Sequence, residues 1–410
     1  MIRGILRGIL LAIVLVVLIG GASIGGYGIS RILFPPVVFS PKDTPTDWTK
    51  SFSVFWEAWN YVHLDFYKPA INDDNLVNGA VSGMVDALGD SHTIFIAAKE
   101  AVIDQATMQG SFEGIGATVE MREGRLTVVS PIKDSPAARA GIKPDDIILK
   151  VNGTVIQNMT VTDAVSLIRG PKGTTVTLDI QRAKQAAFSV SIVRDTIRTF
   201  SVDSRMIPDT TIGYISLAQF TATSPQEIDD ALRALMQQKP TGLILDLRGD
   251  PGGLLNATLP IASEFLPADK IVVIVKDKNG APLNACADNR GRPGECKTVG
   301  GGVANNIPLI LLVNNGSASA SEIISAAMKD YKRATIVGIK TYGKGSVQTV
   351  HTLSDKSELN VTTAHFFSPL GNEIDQVGVT PDIEIKITDD DIANKRDPQL
   401  DKAIELLKAR

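Results

Sequence analysis

Seven consecutive apolar residues, Ile307–Val313 (IPLILLV), run straight into the small polar segment NNGSASASE at Asn314–Glu322. Ala320–Lys329 then follows with helical character. An apolar run this short, bounded by turn residues, reads as a buried strand. The pattern repeats on both sides. Thr211–Leu217, Gly242–Leu247 (GLILDL), Lys270–Val275 and Thr335–Ile339 read as strands. Pro225–Gln238 and Leu254–Phe265 read as the helices between them. Alternating strands and helices predict an α/β core with helices packed on a largely parallel sheet.

Upstream the pattern differs. Pro35–Thr46 is a Pro-rich tether, and Lys50–Tyr61, Asp74–Leu88 and Ala97–Met108 are predicted helices. Phe52, Phe55, Trp56 and Trp59 recur at helical spacing, the mark of a core or interface stripe. Near Gly110 the period shortens. Gly114–Glu120, Leu126–Val129, Asp146–Val151 and Thr175–Gln181 are expected strands, with short helices at Pro136–Ala140 and Val161–Leu167. A strand–helix groove behind a Gly-rich turn can take a peptide as an added strand. Backbone amides around Gly114–Gly116 are placed to cradle its terminal carboxylate. Pro398–Lys408 closes the chain as a short amphipathic helix.

A net charge of −4 and no basic stripe argue against a nucleic-acid partner. Arg3 and Arg7 precede an uncharged run over residues 8–30, and Arg31 follows it. About 20 apolar residues suffice to span a bilayer. Arginines before the run favour an N-terminus left in the cytoplasm. The expectation is a single-pass anchor in the cell membrane, with the remainder on the extracytoplasmic side. Cleavage as a signal peptide near Gly20–Ser23 is the competing reading. Cys286 and Cys296 lie in the polar loop 276–302 and would pair in an oxidising compartment. Zinc suits them poorly, since no histidine lies near.

Chemistry concentrates in three segments. Ser317, Ser319 and Ser321 precede a helix, where serine is often only a cap. A serine hydroxyl needs a base to become a nucleophile. Lys344, in the glycine-flanked turn YGKG, can serve if it is kept neutral by burial. Gln348 follows four residues on, the same face of a strand, and could hold the amine. Leu243–Gly253 (LILDLRGDPGG) is a strand ending in a Gly/Pro turn. Its Gly253 amide and that of Ala320 are candidate oxyanion donors. A histidine triad is the rival scheme, drawing on His63, His92, His351 and His365. No GxSxG elbow and no HExxH accompany them, so neither a hydrolase elbow nor a metal is expected.

Six motifs occur in one order: LGDSHT (88–93), FEGIGATVE…SPAARAGIKPDDIILKVNG (112–153), DLRGDPGG (246–253), SASASE (317–322), TYGKGSVQ (341–348) and GVTPDI (378–383). Together they resemble the carboxyl-terminal processing peptidases, or tail-specific proteases, of family S41. The resemblance implies a serine peptidase with a ClpP/crotonase-like core, a Ser–Lys dyad and no cofactor. It implies a PDZ domain that selects proteins or peptides with accessible apolar C-termini. Carried across, Ser319 is the nucleophile, Lys344 the base and Gln348 its orienting partner. Gly253 and Ala320 form the oxyanion hole, and Gly114, Ile115, Gly116 and Ala117 bind the peptide end. Arg169, after the groove helix, is expected to couple the two sites. DPGG stands where many members carry NPGG or NGGG. The implied layout is an anchor and tether (1–36), a helical region (37–109), a PDZ domain (110–190), a peptidase core (191–388) and a C-terminal helix (389–410). The two helical regions are candidate homodimer contacts. Two readings from other classes are a catalytically silent PDZ adaptor at the membrane and a crotonase-like acyl-CoA enzyme. The intact serine, lysine and glutamine set speaks against the first, the export segment against the second.

Overall fold

A computed structural model describes residues 48–409, apart from 69, 184 and 287–291. The expected anchor and tether lie outside the described residues. Among those described, no helix is long and apolar enough to cross a membrane. The described residues divide into two compact units, 48–76 and 77–409.

In the first unit, helix Trp48–Asp65 carries the aromatic stripe. Phe55 packs edge-on to Trp56 at 5.1 Å, and Trp59 stacks on His63 at 4.8 Å. Phe52 and Trp56 stay exposed, so the rings cover one another rather than fill a core.

The second unit is built on a six-stranded sheet. Its order is Val202–Met206, Ile212–Leu217, Gly242–Asp246, Leu309–Val313, Thr335–Gly338, Ile383–Glu384. The first pair is antiparallel and every later pair parallel. Gly242–Asp246 and Leu309–Val313 are buried at every position, because both faces are covered. Leu243, Leu245, Leu309 and Leu311 face helices Ser224–Gln237, Leu255–Phe265 and Ala320–Asp330. The alternate residues Ile244, Ile310 and Leu312 face Ala403 and Leu407 of helix Pro398–Lys408. Each such buried side chain stabilises the fold by about 1.5–3 kcal/mol.

One strand departs from expectation. Ile271–Asp277 does not join the parallel sheet; it pairs antiparallel with Glu358–Phe367 and Glu295–Lys297. The position beside Gly242–Asp246 is taken by Leu309–Val313, whose five residues are all apolar and buried. Glu358–Phe367 also pairs with Ser346–Thr352 and Ile94–Ile96, which completes a second sheet. Cys286 and Cys296 are joined, with 5.8 Å between their Cα atoms, and Cys296 sits in the core.

Between these elements lies an antiparallel sheet of Ala117–Arg122, Arg125–Pro131, Ile147–Val151, Thr175–Gln181 and Phe188–Val193, with Thr154–Val155 on its edge. Helices Pro136–Arg139 and Val161–Ile168 pack on it around Leu126, Val128, Leu178 and Ile180. The expected single strand over 114–120 is broken. Ser111–Gly114 pairs with Asp195–Arg198, and a new strand starts only at Ala117. Gly116 has φ +75°, and a Cβ there would meet that of Ser135 at 2.5 Å. Only glycine permits that turn against that neighbour.

Candidate active site

The peptidase-like core brings its turns together at the C-terminal ends of the parallel strands. The turn after Gly242–Asp246 is stitched to the serine segment. The Asp250 carbonyl accepts from the Ala318 amide (3.0 Å) and the Ser321 hydroxyl (3.1 Å). The Gly249 amide donates to Asn314 Oδ1 at 2.9 Å. These bonds press Gly252 onto the residues after the loop, where a Cβ would meet the Ala320 nitrogen at 2.8 Å.

The three serines then separate. Ser317 is buried; its hydroxyl donates to the Leu247 carbonyl at 2.7 Å and accepts from the Asn314 amide. Ser321 is buried too, its hydroxyl spent on the Asp250 carbonyl. Ser319 alone of the three lines a cavity of about 590 Å³. It stands at φ +53° and ψ −112°, immediately before helix Ala320–Asp330. A non-glycine residue held there costs about 1–3 kcal/mol, and such strain clusters at functional sites.

Lys344, Gln348, Gly253 and Ala320 line the same cavity. Burial pushes the Lys344 amine below the usual lysine range, with Asp90 acting in the opposite sense. Lys344 does not stand on the strand with Gln348, as the four-residue spacing suggests. The strand begins at Ser346, and a register shift falls between Val347 and Gln348. The bulge, not simple alternation, returns Gln348 to the cavity. Its amide nitrogen donates to Ser346 Oγ (2.8 Å) and Thr362 Oγ1 (3.3 Å), which leaves the amide oxygen as an acceptor.

Two backbone amides point usefully. Phe220 bridges Gly253 through the Gly252 carbonyl and the Leu254 amide, both at 2.8 Å. The Gly253 amide is therefore turned to the opposite side. Neither it nor the Ala320 amide donates to an acceptor among the described residues.

One residue escaped the sequence reading. Glu322 is fully buried, and its carboxylate accepts from the Ser319 amide (2.9 Å), the Thr341 hydroxyl (2.5 Å), the Gly343 amide (2.7 Å) and the Lys344 amide (2.8 Å). It ties the serine loop to the lysine loop. The signal was present, since Ser319 and Glu322 have capping-box spacing. No histidine lines the cavity among the described residues, and His365 pairs instead with Asp375 at 3.7 Å.

A second groove lies between Ala117–Arg122 and helix Val161–Ile168, with a volume of about 280 Å³. Ile115, Gly116 and Ala117 line it. Gly114 does not, because it is committed to pairing with Asp195. The Ile115 and Gly116 carbonyls accept from the Ala137 and Ile132 amides, at 2.8 and 2.9 Å. The Ile115 and Gly116 amides have no acceptor among the described residues. Arg169 also lines the groove, with its guanidinium 4.4 Å from the Phe112 ring and pushed down by burial. Helix Ala98–Met108 touches both sites. Its Ile103 enters the groove, Lys99 pairs with Asp163 of the groove helix at 2.7 Å, and its Met108 walls the serine cavity.

Residues 211–385 match the profile of Peptidase family S41, and residues 127–182 that of a PDZ domain. The chain is 38% identical over 333 residues to carboxy-terminal processing protease CtpA of Bacillus subtilis, covering 81% of this chain and 68% of that protein. The chain belongs to peptidase family S41. It is likewise 37% identical to the carboxy-terminal-processing protease of Bartonella bacilliformis, covering 77% of this chain and 70% of that one. Among solved structures it is similar to the photosystem II D1 C-terminal processing protease, at 27% identity and a TM-score of 0.46, covering 82% of this chain and 88% of the other. This S41 peptidase is thus a serine peptidase of the carboxy-terminal processing kind, with a PDZ domain.

Proposed function

We propose that this S41 peptidase is a single-pass protein of the cell membrane, anchored through residues 8–30. Its catalytic part works on the extracytoplasmic side. It binds protein or peptide substrates by their apolar C-termini and cuts near them with Ser319 and Lys344 as a dyad. The single observation that carries the dyad is the shared cavity. Ser319, Lys344 and the two unspent amides converge there, and the lysine is desolvated toward its neutral form.

The chemistry follows from that geometry. A substrate C-terminus lies along Ala117–Arg122 as an added strand, its carboxylate on the Ile115 and Gly116 amides. Neutral Lys344, held by the Gln348 amide oxygen, removes the Ser319 proton as Ser319 attacks a peptide carbonyl. The Gly253 and Ala320 amides receive the oxyanion, and the helix N-terminus beyond Ser319 favours the same charge. The Lys344 ammonium protonates the leaving amine, and water then hydrolyses the acyl-enzyme. Arg169, between the PDZ groove and helix Ala98–Met108, links peptide binding to the cavity in this reading. A homodimer through the exposed aromatics of Trp48–Asp65 belongs to it as well, and a monomeric sedimentation profile would remove that part.

The test uses the full chain in detergent micelles with an unfolded protein ending in apolar residues. Cleavage by the parent and none by Ser319→Ala is expected, with loss of about 10³-fold or more. Equal cleavage by both refutes the dyad. Peptide binding by both without cleavage by either supports the silent adaptor instead.

A further inference from the structure

The groove beside Ala117–Arg122 is not closed by the PDZ sheet and its helix alone. Val119, Val161, Val165 and Ile168 form apolar walls, and Ile103 joins them from helix Ala98–Met108, upstream of Gly110. That helix is held at both ends. Lys99 pairs with Asp163 of the groove helix at 2.7 Å, and the Met108 carbonyl accepts from the Ala222 amide of the peptidase core at 2.8 Å. Ile103 is half-buried between these ties, a fixed part of the wall. Its place along the groove follows from its neighbours. Phe112 and Arg169 line the groove and also an adjoining cleft, which Val102 and Ala106 of the same helix line with them. Val102 and Ala106 bracket Ile103 within about one turn, so Ile103 stands beside Phe112 and Arg169.

This is the end that fits a carboxylate. A Cβ on Gly114 would meet the Phe112 ring at 3.4 Å and Arg169 Cγ at 3.7 Å, which sets both side chains against the turn that carries the unspent Ile115 and Gly116 amides. The Arg169 guanidinium is partly desolvated, and its buried Nη1 has no hydrogen-bond partner among the described residues. Two free amides and a desolvated cation favour an anion there. We propose that Ile103 is a specificity-determining residue of this peptidase: it walls the pocket that receives the last side chain of the substrate and restricts that residue to aliphatic ones. The inference rests on the reading that a substrate C-terminus occupies this groove.

Ala117 and Val119 face the groove while Thr118 and Glu120 turn out to solvent, and an added strand shares that alternation. With its carboxylate on the Ile115 and Gly116 amides, its last side chain enters the apolar space bounded by Ile103, Phe112, Ile115 and Ile168. The whole groove holds about 280 Å³, less than the about 300–1,000 Å³ of sites that enclose a drug-sized ligand. An aliphatic side chain fits its closed end; an aromatic ring needs the space that Ile103 fills. Size selection of this kind is strong, since one methylene more or less in an apolar pocket is worth about 10–200-fold. Ile103 does not line the serine cavity, so its effect falls on binding and not on the chemical step.

The experiment measures kcat and KM of the full chain in micelles for one peptide series that differs only in its last residue: alanine, valine, leucine or phenylalanine. The valine peptide is also made with an amidated C-terminus. The parent is expected to favour valine and leucine over phenylalanine. Ile103→Ala opens the pocket and raises the phenylalanine-to-valine ratio of kcat/KM by about 10-fold or more, through KM, with kcat within about 2-fold. Ile103→Phe fills the pocket and lowers the leucine-to-alanine ratio by a similar factor. The two variants move size preference in opposite directions, which a loss of folded protein cannot do. Val102→Ala, on the same helix but outside the groove, leaves every ratio in place. Ratios unmoved by both Ile103 variants overturn the inference, as does an equal shift in Val102→Ala. If amidation still abolishes cleavage in that case, recognition of the C-terminus stands and only the role of Ile103 falls. An amidated peptide cut as fast as the free acid refutes C-terminal recognition itself, and the inference with it.

Discussion

Asp250 offers the sharpest thermodynamic test of how the catalytic turn is built. It is fully buried; Oδ1 accepts from the Gly252 amide at 2.8 Å, and Oδ2 has no partner among the described residues. Burial pushes its pKa up to about 7, against an ordinary value of 3.8. The folded protein therefore holds a proton that the unfolded chain has released across that window. Stability falls as pH rises from about 4 through 7 and is level above it. At about 1.4 kcal/mol per unit, the gap of about 3 units is worth up to about 4 kcal/mol. Asp250→Asn keeps the acceptor for Gly252 and cannot ionise. Between pH 5 and pH 8 its stability advantage over the parent should grow by about 2–3 kcal/mol. Urea unfolding of both proteins at the two pH values measures this, and the difference of differences cancels any fixed packing cost of the amide. An advantage that does not change with pH would refute the claim that this carboxyl is protonated in the folded state.

Two further outcomes are expected. Gly116→Ala places a Cβ 2.5 Å from that of Ser135 at a φ of +75°; C-terminal peptide binding, read by fluorescence anisotropy, should weaken at least about 10-fold while the core's urea midpoint is unchanged. Glu322→Gln turns one acceptor oxygen into a donor facing amides or a hydroxyl that also donate. It should cost about 2–4 kcal/mol of stability and lower kcat far more than it changes KM; a variant with parental kinetics would show that the Glu322 bridge does not position the dyad.

Much of the architecture was legible because burial writes itself into the chain. IPLILLV and GLILDL are apolar at nearly every position since both faces of their strands are covered, and a helix period follows each. Turn chemistry was legible for a similar reason, because a left-handed residue such as Gly116 or Gly253 requires glycine. Pairing partners were not. Ile271–Asp277 has the look of its neighbours yet joins the other sheet, a choice made by the competition of Leu309–Val313 for the central position.

The sequence by itself determined which residue types could perform the chemistry and placed them at the ends of strands. Only the tertiary structure decided among them. Ser317, Ser319 and Ser321 are locally alike, and long-range hydrogen bonds to Leu247 and Asp250 remove the outer two from contention. A β-bulge, which no alternation rule foresees, aims Gln348. Glu322 gains its meaning from Lys344, 22 positions later in the chain. Hydrogen bonds and charge act through space, and the spacing of residues along a chain does not record which of them will meet.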